Sequence, residues 1–64
     1  MFNTFLELKQ NDGKMVLINL RAIETVQPYN SHGEKLTRID TASNSYFIKA
    51  SYSEIKDLIS KAGF

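Results

Sequence analysis

Ser51-Tyr52-Ser53-Glu54-Ile55-Lys56-Asp57-Leu58-Ile59-Ser60-Lys61-Ala62 is the one stretch of this chain patterned as a helix. Ser51 and Glu54 have the spacing of a capping box, in which the hydroxyl and the carboxylate each satisfy an amide that the first helical turn leaves without a partner. From there Tyr52, Ile55, Leu58, Ile59 and Ala62 recur at offsets of three and four and form one apolar stripe, while Lys56, Asp57, Ser60 and Lys61 fall on the opposite side. The spacing predicts a helix over residues 52–62, with Lys61 placed favourably at its negative end and Gly63 as its stop.

Everything upstream has a different period. In residues 2–9, Phe2, Leu6 and Leu8 share one parity and Glu7 and Lys9 the other, with Phe5 as the exception, which is the alternation of a half-buried strand. Asn11-Asp12-Gly13 then reverses the chain. Residues 14–20 contain Met15-Val16-Leu17-Ile18, a short apolar run rich in β-branching that reads as the central strand, buried on much of both faces. After an interruption at Asn19-Leu20-Arg21-Ala22, residues 23–28 are extended and Pro28 is expected to end them, since proline cannot donate to a ladder. Asn30-Ser31-His32-Gly33-Glu34 reads as a hairpin loop. Residues 35–41 form a further strand, with Arg38 and Asp40 marking an edge or a wet face. Ala42-Ser43-Asn44-Ser45 turns the chain into a last short strand over residues 46–50. The fold class is therefore α+β, mainly β: an antiparallel sheet of four or five short strands followed by one C-terminal amphipathic helix.

At 64 residues the chain forms one domain, because a chain of this length buries only about 60% of the surface it exposes when unfolded. It has no cysteine, hence neither a disulfide nor a thiolate metal site to supplement a small core, and association with a second copy is the remaining source of stability. Eight Lys and Arg against seven Asp and Glu leave a formal charge of +1, without the strong basic signature of a dedicated nucleic-acid or anionic-membrane binder. Neither a signal peptide nor a membrane span is visible, so a cytoplasmic location in a bacterial cell or a phage-infected host is expected.

Chemistry is sparse. His32 is the only histidine and has only Glu34 as a nearby carboxylate, which makes it an exposed loop residue rather than a metal ligand or an acid–base group. The serines fit turns, caps and the helix surface, and no nucleophile elbow surrounds any of them. Gly13, Gly33 and Gly63 lie far apart and build no phosphate-cradling loop. No enzyme activity, metal or cofactor is expected. The seven aromatics are more informative, since a domain this small cannot bury all of them. They point to a core plus an association surface. A sharper reading places Tyr29 and Tyr46 beside Lys35, Arg38 and Lys49, as a single-stranded nucleic-acid surface or a nucleotide pocket would require. Glu34 and Asp40 interrupt those cations, which weakens phosphate-backbone binding.

The order strand, turn, Val16-Leu17-Ile18-Asn19-Leu20-Arg21-Ala22-Ile23-Glu24-Thr25-Val26, polar loop, strand and Tyr46-Phe47-Ile48-Lys49-Ala50-Ser51-Tyr52-Ser53-Glu54-Ile55 resembles the FlbD/SwrD-like flagellar-accessory proteins and short bacterial and phage proteins built to the same plan. In these, I-N-x-x-x-I leads into a strand and V-K-x-S-x-x-E-I into the final helix. The resemblance covers nearly the whole chain, with Ser43-Asn44-Ser45 standing where that family commonly has an Asn-Gly turn. A weaker resemblance is to the first half of a LytTR-type DNA-binding domain, whose DNA contacts lie in later strands and a basic tail. Together these readings give a non-enzymatic accessory protein that binds itself and another protein, or acts as an inhibitor occluding a host surface. The alternatives are a nucleic-acid-binding regulatory module and a nucleotide-sequestering oligomer.

Overall fold

The computed structural model describes residues 5–62; the expectations for Phe2 in the first strand and Gly63 as helix stop lie outside them. The elements are β1 (Phe5–Lys9), β2 (Met15–Asn19), a single 3-10 turn (Leu20–Ala22), β3 (Ile23–Ser31), β4 (Glu34–Thr41), β5 (Ser45–Ile48) and α1 (Tyr52–Lys61). The chain is thus mainly β with one C-terminal helix. The strands divide into two antiparallel sheets, β1-β2 and β3-β4-β5. A bridge between Gln10 and Ile48, with amide bonds from Asn11 to the Phe47 carbonyl and from Lys49 to the Lys9 carbonyl, both 2.8 Å, joins the end of β1 to β5. The two sheets therefore curl toward one another around a shared interior.

That interior is made of alternate residues. Leu8 and Ile18 from the hairpin, Ile39 and Ile48 from the larger sheet and Ile55 from the helix form the buried cluster, with Leu6, Val16, Ile23, Val26, Tyr46, Ala50 and Ile59 packed around it. In β1 the expected parity is observed, including the exposed exception at Phe5. β2 departs from expectation. Among the described residues it pairs with β1 alone, is an edge strand rather than a central one, and buries only the Val16 and Ile18 side; Met15 and Leu17 remain exposed. Both parities are apolar, but the small chain has only one layer to cover them.

Pro28 also departs from expectation, because β3 runs through it to Ser31. The reason is register. His32 (φ 50°) and Gly33 (φ 81°) form a two-residue turn, and Ser31 pairs with Glu34 directly beside it. Alternation of the antiparallel ladder from that closing pair makes Tyr29/Leu36 and Gln27/Arg38 the hydrogen-bonded pairs and sets Pro28/Thr37 between them. The nitrogen of Pro28 thus faces the open edge, where no donor is needed. Positive φ at both central positions favours Asn-Gly or Gly-Gly in such a turn. Gly33→Ala is expected to destabilise the protein by about 1–2 kcal/mol, the cost of a Cβ in left-handed backbone, measured by urea denaturation.

β4 is the middle strand of its sheet, so Arg38 and Asp40 mark a wet face and not an edge. Helix α1 starts as its sequence requires: the Ser51 hydroxyl accepts from the Glu54 amide (3.2 Å) and the Glu54 carboxylate accepts from the Ser51 amide (3.2 Å). Its buried stripe is narrower than the spacing suggests. Ile55 is fully buried, Ile59 and Ala62 are half-buried, and Tyr52 and Leu58 face solvent. An Asp57–Lys61 ion pair of 3.2 Å lies along the exposed side. No helix among the described residues is long and apolar enough to cross a membrane.

Candidate binding surface

The register of the larger sheet sorts the candidate residues by face. Tyr29, Leu36, Arg38 and Phe47 lie across from one another on the side opposite the Ile39 and Ile48 cluster, with Leu36 itself buried, because Tyr29 pairs with Leu36 and Arg38 with Phe47. The Tyr29 and Phe47 rings meet at 4.9 Å between centroids, tilted by 55°, and the Arg38 guanidinium sits 5.9 Å from the Phe47 centroid. Tyr46 lies on the opposite face, half-buried against the core. Lys35 borders a second cleft, of about 450 Å³, with Pro28, Tyr29, Asn30 and the Ser51-Tyr52-Ser53 start of the helix. Lys49 is exposed just beyond β5. The structure thus brings Tyr29 and Arg38 together around Phe47, places Lys35 with Tyr29 in the second cleft and away from Arg38, puts Tyr46 on the other face, and supplies Phe47, a residue sequence reading missed for want of the β4–β5 register.

Arg38 is ion-paired through one of its nitrogens. Its Nε donates to Asp40 at 2.9 Å, and Asp40 also accepts from the Thr25 and Ser45 hydroxyls, both at 2.7 Å. These hydroxyl bonds, then the Arg38 bond and charge, hold the Asp40 carboxyl well below the usual carboxylate range against the opposing effect of partial burial. Because the folded state binds this proton less readily than the unfolded chain, the network stabilises the fold at neutral pH and does so less as pH falls below about 4. Asp40→Asn is expected to flatten the acid limb of a stability-against-pH curve, followed by thermal melts from pH 7 to pH 2.

Beside this platform, Gln10, Asn11, Asp12, Tyr29, Ser31 and Phe47 line an open cleft of about 340 Å³. Its one charged lining residue is Asp12, which suits neither a phosphate nor a nucleic-acid backbone. Among the described residues no three His, Cys, Asp or Glu side chains come together to hold a metal ion, and His32 sits exposed at its turn.

The other outward surface belongs to the β1-β2 hairpin. The pairs Phe5/Asn19, Glu7/Leu17 and Lys9/Met15 share the face opposite Leu6, Leu8, Val16 and Ile18. Leu17 is 60% exposed, Met15 55% and Phe5 45%, the three most exposed large apolar side chains described. One acid, Glu7, and one base, Lys9, complete the face with Asn19. No family model, no curated protein and no solved structure matches the chain.

Proposed function

We propose that this chain is a small bacterial or phage accessory protein that acts by binding and not by catalysis: it associates with a second copy and presents an apolar face to another protein. The observation that carries this reading is the exposure of Met15 and Leu17, at 55% and 60%, on a hairpin whose other face is core. Isolated exposed apolar residues are ordinary on any surface, but a contiguous set of three on one small sheet face is the pattern of an interaction site. The balance of Glu7 and Lys9 favours a protein partner with an apolar patch over a polyanion. The platform around Phe47 supports a nucleic-acid reading less well, because its cation is already engaged by Asp40.

Photocrosslinking in the native host tests the reading. A benzophenone side chain placed at Met15 is expected to trap a second copy of the chain and one other discrete protein, whereas the same group at Asp57, on the exposed side of α1, traps none. Equal labelling from both positions, or labelling from Asp57 alone, would overturn the assignment of this face.

A further inference from the structure

Among the described residues, the edge strands β2 and β3, which lie away from the β1–β5 junction, are not alike. β3 carries Pro28 and a register irregularity between Ile23 and Thr25, both of which discourage another strand from pairing with it. β2 carries neither, and no residue from Met15 to Asn19 is charged. Its backbone is oriented for pairing. The Gln10 amide donates to the Lys14 carbonyl at 2.8 Å, closing the hairpin. Alternation from that pair makes Leu8/Val16 and Leu6/Ile18 the bonded positions, so the amides and carbonyls of Met15 and Leu17 point away from β1. Among the described residues no strand receives them.

We infer that β2 pairs with β2 of a second copy, antiparallel and centred on Leu17, to form a four-stranded sheet across a two-fold axis. This rests on the self-association reading above and specifies how it occurs. A two-fold interface must be self-complementary, and this strip is. Leu17 meets the partner's Leu17 and exchanges both backbone hydrogen bonds with it; Val16 meets the partner's Ile18 on the inner face; Met15 meets the partner's Asn19 on the outer face. Charge agrees with this register. The strip itself is neutral, its flanking cations Lys14 and Arg21 stand at opposite ends, and the antiparallel arrangement opposes Lys14 to the partner's Leu20 in place of a like charge. The sheet so formed joins two outer faces into one surface bearing two copies of Phe5, Met15 and Leu17, which enlarges the face offered to a partner protein. It also gives a cysteine-free chain of 64 residues a strand pairing beyond its own small core.

The test uses the full chain, which has no native cysteine. Sedimentation equilibrium is expected to give twice the 7.3 kDa chain mass. Leu17→Cys is then expected to oxidise to a covalent dimer, because directly opposed residues of an antiparallel pair have Cα atoms about 5.5 Å apart, within disulfide reach. Glu7→Cys, on the same face but one strand inward, lies about 14 Å from its symmetry mate at three strand spacings and is expected to stay reduced. A dimer that crosslinks through Glu7→Cys, or fails to do so through Leu17→Cys, overturns edge pairing while leaving self-association standing. A monomeric mass at all accessible concentrations overturns both. Synthetic chain with N-methyl-Leu17 separates edge from face directly: it keeps the side chain and the β1 bonds, and dissociates only an edge-paired dimer.

Discussion

Ile39→Ala is expected to remove about 2–5 kcal/mol of stability, enough to leave little folded protein at 37 °C. Ile39 has no exposed surface, sits in the middle strand of the larger sheet opposite Val26 on one side and Tyr46 on the other, and belongs to the cluster that Leu8, Ile18, Ile48 and Ile55 complete. Removing its outer carbons leaves a void bordered by both sheets and the helix, so no single element can move to fill it without breaking contacts elsewhere. Small domains of this size seldom hold more than about 3–5 kcal/mol in total, which makes this one substitution comparable with the whole. Thermal melting followed by circular dichroism at a fixed protein concentration measures it, the fixed concentration holding the mass-action contribution of association equal for parent and variant. A loss below about 1 kcal/mol would place the centre of the core elsewhere.

The second large effect is expected from Thr37→Val, a change of nearly constant volume. Thr37 is fully buried on the core face of β4, and its hydroxyl donates to the Ala50 carbonyl at 2.8 Å. That carbonyl lies in the link between β5 and α1, where the Ala50 amide donates to Ile48 at 2.9 Å. Valine fills the space but leaves the carbonyl without this donor, at a cost of about 1–3 kcal/mol. The damage is expected to be local, with faster amide hydrogen exchange in α1 than in β3 and β4. Uniform acceleration across all elements would mean that the bond contributes to global stability alone and does not anchor the helix.

Local chemistry was the part of this fold that sequence reading recovered well. The Ser51–Glu54 cap depends on residues three apart, and the hairpin at Asn11-Asp12-Gly13 on the tolerance of Gly13 for positive φ (90°). Neither needs knowledge of the rest of the chain. What could not be read was which strand lies beside which. Met15-Val16-Leu17-Ile18 reads as buried on both faces because both parities are apolar, yet a single chain provides cover for only Val16 and Ile18. Pro28 reads as a terminator because the rule concerns a missing donor, and only the register of β3 on β4 reveals that its nitrogen faces an open edge. The same ignorance of register placed Tyr46 on the candidate surface when its neighbour Phe47 is the residue that meets Tyr29.

The misreading of β2 is therefore informative in itself. An apolar run encoded as though it had two covered faces, and found with one, is what the proposed association through this hairpin would leave on the single chain. On this account Met15 and Leu17 serve association and contribute little to folding of the single chain.

Equilibrium urea denaturation of the double variant Met15→Thr/Leu17→Thr, at a concentration low enough to keep the chain monomeric, tests this most directly. Each change keeps a β-favouring residue on a solvent-facing strand position. The account predicts an unfolding free energy within about 0.5 kcal/mol of the parent monomer, the range for surface substitutions. A loss of several kcal/mol would show these side chains to be part of the chain's own core and would contradict it.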